Sequence, residues 1–445
     1  MPLALVAVVT VAAVAVVVER HDGGHPVAAT AGTGTPERPP VLSALHASAP
    51  ATRAEVSAAL RPALAAFPPG EKLAGLVTDV STAATLWAEH PRMPMAPAST
   101  TKLLTSAAAL ETLGPGYRLT TATKELGNTV YLVGGGDPTL VTNDTVKVVP
   151  PYPRPASLAD LASRTAAALT SGTPVRLRVD TSAWSGPESA RGWQPSYVTE
   201  GDVTPPSPLE LDGGRLHDND FDSERTPTPA AQAAQAFAGL LRADGVAIKG
   251  DVEPATAPPT ASPLASVSSP PLAELVQRML TDSDNDLAEA LGRAVAAAAG
   301  LPADFTSAAH AVLEQMTKLG IPTAGISLYD TSGLSHDDRI DPAALVGVLE
   351  AAASSRDPQL RPIVEGLPVA GFTGTLAARY RGAKTSAGAG IVRAKTGTLT
   401  GVDTLAGLTV DRAGRLLAFA LMASGQGSED AVEAGLDRIA STLDR

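Results

Sequence analysis

The chain has 445 residues, 44% hydrophobic and 18% charged, long enough for more than one domain and too apolar for a disordered protein. A formal net charge of −12 argues against a nucleic-acid partner, which would require a basic patch. With no cysteine, a disulfide framework, a thiol nucleophile and a thiolate metal site are excluded as well.

Pro2 to Val18 is a 17-residue run without a charge, at the short limit for a membrane-spanning helix. No Lys or Arg precedes it, and the nearest small-x-small site, Ala29 to Ala31, lies well beyond it. Residues 1–20 therefore read as a membrane anchor in preference to a cleaved signal peptide, and either one exports the rest of the chain. Residues 21–55 lack hydrophobic periodicity and read as a flexible linker. From Leu73 to His90 two strand-like runs meet at a Ser/Thr/Ala turn, which predicts a hairpin. A helix follows from about Ser99 to Leu113, stopped by Gly114-Pro115-Gly116.

Between Tyr117 and Asp251, strand candidates ("TVYLVGGG", "VRLRVDTSAW", "VAIKGDV") alternate with Ala-rich helices at 158–169 and 229–241, which predicts an α/β module. A Pro/Ala/Ser-rich join at 254–271 leads back to helical sequence. "TLAGLTV" and "LLAFALMAS" around "DRAG" predict a second hairpin, and a last helix runs from Glu429 to Leu443. Strands at both ends imply one sheet built from the two termini. The expected organisation is a catalytic domain of residues 56–117 and 252–445, interrupted by an inserted α/β domain at 118–251.

Lysine is scarce, eight against 26 arginines, yet Lys102 stands three residues after Ser99 at the start of an apolar helix. That spacing puts both side chains on one face. Burial and the positive helix end both disfavour an ammonium, and a neutral amine can take the serine proton and activate it for acyl transfer. Alone, the pattern equally describes a serine N-cap beside a solvated lysine. It is the chain's only S-x-x-K. Ser283-Asp284-Asn285 falls between two amphipathic helices, where a hydroxyl and an amide could enter a cleft or simply cap a helix junction. Lys395-Thr396-Gly397-Thr398 precedes the C-terminal hairpin. A strand glycine is a weak choice unless another backbone approaches it, although the lysine could equally protect an edge strand. No histidine cluster has metal-ligand spacing, and no cofactor-binding motif survives inspection: "GLPVAGFT" has Phe372 where a phosphate-binding lysine must stand.

S-x-x-K, S-D-N and K-T-G in this order form the motif set of class A β-lactamases and penicillin-binding proteins. Together with "GGGDPTL" (134–140), "VDTSAWSGPESARGWQPSYV" (179–198), "YDTSGLSHDDRI" (329–340), "LPVAGFTGTLAARY" (367–380) and "VRAKTGTLTGVDTLAG" (392–407), they make the chain resemble the class C, low-molecular-mass penicillin-binding proteins. These are D-Ala-D-Ala carboxypeptidases/endopeptidases, and the resemblance runs from about Glu55 to the end. It implies an α/β (α+β) fold of the penicillin-binding and serine β-lactamase type: an antiparallel sheet flanked by helices, a helical subdomain and an inserted α/β domain. It implies Ser99 as the acylated nucleophile, Lys102 as its base, Ser283 as proton relay to the leaving D-alanine and Asn285 as holder of the substrate amide. Lys395, Thr396 and Thr398 would receive the terminal carboxylate, with Gly397 between them, and the Ser99 and Thr398 amides would form the oxyanion hole. Gly333 and Leu334 would border the acyl-side pocket. The implied partners are peptidoglycan stem peptides and, as acylating inhibitors, β-lactams, with no cofactor. Only 184 positions separate Ser99 from Ser283 (283 − 99), which is short for members with two inserted domains, so one insertion is expected. Two rival readings share the scaffold: a β-lactamase, for which no E-x-x-x-N setting occurs between Ser99 and Ser283, and a catalytically idle peptidoglycan-binding protein.

Overall fold

The computed structural model describes residues 52–142, 152–170, 172–217 and 223–443. The expected anchor, 1–20, and nearly all of the expected linker lie outside the described residues. The first helix, α1 (Arg53–Ala65), opens on a capping box in which Thr52 accepts from the Glu55 amide and Glu55 from the Thr52 amide.

The main sheet has strand order β2-β1-β10-β9-β8, all antiparallel. It joins β1 (Lys72–Asp79) and β2 (Ala84–Glu89) from the N-terminal half to β8 (Arg393–Leu399), β9 (Val402–Val410) and β10 (Leu416–Ser424) from the C-terminus. Both faces are covered. Ala418, Ala420 and Met422 of β10 face the helical subdomain, while Leu417, Phe419 and Leu421 face α1 and the last helix, α10 (Glu429–Thr442). That two-sided burial is why "LLAFALMAS" is apolar throughout instead of alternating.

The helical subdomain comprises α2 (Thr101–Leu113), α5 (Leu272–Asp282), α6 (Asn285–Ala298), α7 (Phe305–Lys318), α8 (Pro342–Ala353) and α9 (Arg361–Gly366). At its centre α2 is buried on every side from Thr101 to Leu110. A helix apolar all round must be enclosed, and this one carries its lysine inside with it.

A second sheet, β6-β5-β4-β3-β7, carries α3 (Leu158–Ala168) and α4 (Pro229–Ala243). Its strands are β3 (Thr120–Leu126), β4 (Thr129–Val133), β5 (Arg176–Asp180), β6 (Glu253–Pro254) and β7 (Ser262–Ser268), with β5 parallel to β4 and β6. Two expectations change here. "VAIKGDV" supplies one isolated bridge, Val175 to Ile248, because Gly245 and Gly250 turn the chain at positive φ on either side. The join expected at 254–271 contains β7, an exposed edge strand whose Pro263 sits where its pairing with β3 shifts register. The second sheet thus reaches Ser268, beyond the expected inserted-domain boundary at 251. Among the described residues of 181–228 no strand forms, only an isolated Arg215–Arg225 bridge.

Candidate active site

Ser99 lies in a single 3-10 turn, Ala98–Thr100, that runs into α2. Ala98 takes a left-handed backbone (φ 47°), a conformation that costs a non-glycine residue about 1–2 kcal/mol and that here aims the turn at the cleft. One helical turn on, the Lys102 Nζ donates to Ser99 Oγ at 2.9 Å, Asn285 Oδ1 at 2.6 Å and the Ser332 carbonyl at 2.8 Å. As an ammonium, Lys102 meets these three acceptors with three donors; as a neutral amine it donates to Asn285 and Ser332 and turns its lone pair to the Ser99 hydroxyl. Burial lowers its pKa to about 8, against the opposing pull of Asp330, Asp284, Glu289 and Asp286. Ser99 is partly exposed and Lys102 is sealed.

The S-D-N stretch is the junction between α5 and α6. Ser283 closes α5 in left-handed backbone (φ 60°), and Asp284 caps α6 by accepting from the Leu287 amide at 3.0 Å. Asn285 is engaged at both ends: besides its bond from Lys102, its Nδ2 donates to the Asp202 carbonyl at 2.8 Å. Both contacts together fix the Asn285 amide against Lys102.

On β8, at the sheet edge, Lys395 is fully buried and donates to Ser283 Oγ at 2.9 Å and the Thr396 carbonyl at 2.8 Å. Burial, and then the charge of Lys102, pushes its pKa well below the usual lysine range. The site therefore holds two lysine–serine pairs, Lys102–Ser99 and Lys395–Ser283. Thr396 donates to Thr375 Oγ1 at 2.8 Å, while Thr398 is exposed. At Gly397 an added Cβ would lie 2.8 Å from the Pro97 carbonyl and 2.9 Å from the Ser99 amide, and would overlap the Thr404 hydroxyl. Only glycine lets β8 run this close to the nucleophile's turn.

Gly333 and Leu334 are both buried. Gly333 (φ 87°) presses against the Ala98 carbonyl, where a Cβ would overlap it, and so supports the turn before Ser99. Leu334 packs with Tyr197 and Val203. Tertiary folding also brings in residues that sequence reasoning missed. Asp330 accepts from the Gly333 and Ser335 amides and from Trp193 Nε1, each at 2.7 Å. Glu289 accepts from the Thr331 and Ser332 amides at 3.0 and 2.9 Å, and so fixes the carbonyl that Lys102 uses. Asp286 accepts from the Thr204 amide, and burial raises its pKa to about 7. The signal was present in "DTSGLS" and "NDLAEAL", but nothing local marks these acids as buried. Among the described residues no cluster of His, Asp or Glu could hold a metal, and no helix is long and apolar enough to cross a membrane.

The arrangement is suited to acyl transfer: a hydroxyl beside a buried base, a second hydroxyl beside a second lysine, and backbone amides at a helix start and an edge strand. Comparison with known proteins agrees. The model of the D-Ala-D-Ala carboxypeptidase 3 (S13) family matches residues 56–219 and 221–444. The chain is 40% identical over 460 residues to carboxypeptidase DacB of Mycolicibacterium smegmatis, covering 99% of this chain and 95% of that one. It is 40% identical over 421 residues to a carboxypeptidase of Mycobacterium tuberculosis, covering 91% and 88%. Among solved structures, penicillin binding protein 4 of Haemophilus influenzae shares the fold at a TM-score of 0.71 and 23% identity, covering 86% of this chain and 98% of that one. The same protein has been solved in complex with a novel β-lactam.

Proposed function

We propose a mechanism on one premise: the chain belongs to the D-Ala-D-Ala carboxypeptidase 3 (S13) family and is a serine-type D-Ala-D-Ala carboxypeptidase. The neutral Lys102 amine takes the proton of Ser99 as Oγ attacks the carbonyl of the penultimate D-alanine of a peptidoglycan stem peptide. The Ser99 and Thr398 amides receive the oxyanion. The C–N bond breaks as the proton that Lys102 took from Ser99 is relayed through the Ser283 hydroxyl to the leaving D-alanine nitrogen, which returns Lys102 to its neutral form, and Lys395 holds Ser283 for that transfer. Water then attacks the ester on Ser99 with Lys102 again as base, and the acid is released. Asn285 keeps the base in register throughout. Lys395, Thr396 and Thr398 clamp the substrate's terminal carboxylate, which suits a lysine whose ammonium burial disfavours: an arriving anion supplies a counter-charge that favours it again.

The observation that carries this reading is the 2.9 Å contact between Lys102 and Ser99, with both remaining Lys102 donors occupied by fixed acceptors. The same attack on a β-lactam amide leaves a penicilloyl ester on Ser99, so penicillins inhibit by acylation. Cleavage of a D-Ala-linked cross-link is the same transfer with a different leaving amine, and endopeptidase action belongs to this site too. Such a substrate lies outside the membrane, which fits an exported catalytic unit held by residues 1–20. Intact-protein mass spectrometry with benzylpenicillin tests the assignment. One adduct is expected, on the peptide containing Ser99, and it is absent from Ser99→Ala; an adduct unchanged in that variant rejects the nucleophile.

A further inference from the structure

In "SHDDRI" an Asp-Asp pair would ordinarily read as solvated. Asp337 fits that reading and pairs with Arg191 at 2.8 Å on the surface. Asp338 does not: it has no solvent exposure, and neither has Asp330. Asp338 Oδ1 accepts from the Tyr329 amide at 2.7 Å, which draws the side chain to the residue before Asp330, and the two carboxyls are in hydrogen-bonding contact. Yet Asp338 Oδ2 is buried and receives no donor among the described residues. A buried carboxylate oxygen left unmet is costly and calls for an explanation.

The surrounding charges disfavour an ionised Asp338 further. Asp330 and Glu289 are the acids that face it. The cations of the packed elements are engaged elsewhere: Lys102 of α2 on the Ser332 carbonyl, Arg293 of α6 on Glu289, Arg191 on Asp337, and Arg339 on the His336 and Asp338 carbonyls. Burial, and then Asp330, pushes the Asp338 pKa well above the usual carboxylate range. Asp330, in contrast, accepts from the Gly333 and Ser335 amides and from Trp193 Nε1. A carboxylate offers about four acceptor positions, so there is room for one more donor. Two ionised carboxyls are acceptors only and cannot bond to each other. One protonated and one ionised can.

We infer that Asp338 is protonated in the folded chain and donates from Oδ2 to Asp330, so that the two acids share one proton and present one negative charge to Lys102. Asp338 is thereby a positioning residue for the base. It completes the donors that hold Asp330, and Asp330 fixes the Gly333 and Ser335 amides. The same turn carries the Ser332 carbonyl that accepts from Lys102 and presses Gly333 against the Ala98 carbonyl, just before Ser99. The shared proton also spares Lys102 a second negative charge, which would favour its ammonium. The part of Asp338 in the reaction rests on Lys102 being the base; the shared proton does not.

Difference infrared spectra of the full chain, wild type minus Asp338→Asn, test the proton at pH 8, where an ordinary aspartate is ionised. The C=O stretch of a protonated carboxyl should disappear with the substitution. Loss of a carboxylate band in its place, or of neither, overturns the inference. The rate of acylation by a fluorescent penicillin tests the positioning. Asp338→Ala leaves the Tyr329 amide unmet and Asp330 one donor short, and should slow acylation about ten- to a hundredfold. Asp338→Asn can accept from Tyr329 through Oδ1 and donate to Asp330 through Nδ2, and should recover most of that loss. The pH profile separates charge from shape. Asp338→Asn exchanges a neutral group for a neutral group and should leave the Lys102 limb near pH 8 in place; removing an ionised carboxylate would move it to lower pH. A limb so moved, or no recovery in Asp338→Asn, overturns the inference, and if Asp338→Ala does not fold, the infrared band and the Asp338→Asn profile decide. A wild-type profile without the limb would count against Lys102 as base, and the infrared band would still report the proton.

Discussion

Replacing Gly397 by alanine tests the closeness of β8 to the nucleophile. The new Cβ would sit 2.8 Å from the Pro97 carbonyl oxygen and 2.9 Å from the Ser99 nitrogen, against a comfortable carbon–heteroatom separation of roughly 3.4 Å. Both neighbours are backbone, so neither can swing aside, and β8 must retreat by about half an ångström. Overpacking of this kind costs about 1–3 kcal/mol, which a domain of ordinary stability survives. Retreat of β8 separates the Thr398 amide from the Ser99 amide, and loss of one oxyanion donor slows acyl transfer about 10²- to 10³-fold. The second-order rate of Ser99 acylation by a fluorescent penicillin should fall by that factor while the protein remains folded by circular dichroism. Gly75→Ala is the control: its Cβ would lie 2.7 Å from the Trp87 ring on β2, at the opposite edge of the same sheet. Acylation by Gly397→Ala within threefold of wild type would refute the reasoning. So would an equal loss in Gly75→Ala.

Only the unprotonated Lys102 can take the Ser99 proton, so with its pKa lowered to about 8 the acylation rate should rise with pH and level off above that value; a flat profile from pH 6 to 9 contradicts this. Asn285→Asp places a carboxylate where Lys102 now donates at 2.6 Å, favours the ammonium, and should move that limb to higher pH. Thr398→Val should slow hydrolysis of a peptide ending in D-Ala-D-Ala acid about 10- to 150-fold, the equivalent of one hydrogen bond to a charged group, and its C-terminal amide far less, with kcat/KM on both substrates as the measurement. Deleting residues 1–20 should leave a soluble protein that still takes up penicillin, since α1 begins at Arg53 with its own capping box; an insoluble product would tie the apolar run to the fold.

How far the fold and site were legible depends on whether the signal was local. The hairpins, α2 and the last helix follow from periodicity and stop signals. β9 and β10 could be located because burial on both faces makes them continuous apolar runs. Thr-rich β3 and Ser/Ala-rich β7 have no such run, since β7 is an exposed edge and β3 gains its place from the strands beside it. The reverse error at 246–252 has the same origin: apolar alternation without the backbone continuity that Gly245 and Gly250 interrupt. In the site, the motif residues are local marks, and the structure brings Ser99, Lys102, Ser283, Asn285 and Lys395 together. Asp330, Glu289 and Asp286 are not marked, because an acid on an amphipathic helix or in a Ser/Gly turn looks solvated until the packing is known. Their work, holding backbone amides beside Lys102, exists only in three dimensions.

The buried acids also explain how the cleft tolerates two sealed lysines. Lys102 is surrounded by Asp330, Asp284, Glu289 and Asp286, which favour its charged form and keep its pKa near 8 instead of lower. Lys395 has only Asp282 in that role, and it feels Lys102 as a like charge. Burial therefore acts on Lys395 with less to oppose it and pushes its pKa well below the usual lysine range. On the proposed clamp, a substrate carboxylate would supply Lys395 with a further counter-charge and favour its ammonium, and that charge would in turn disfavour the ammonium of Lys102. Recognition of the terminal carboxylate and activation of the base would then be coupled electrostatically. A C-terminal amide, which brings no charge to Lys395, would not engage that coupling.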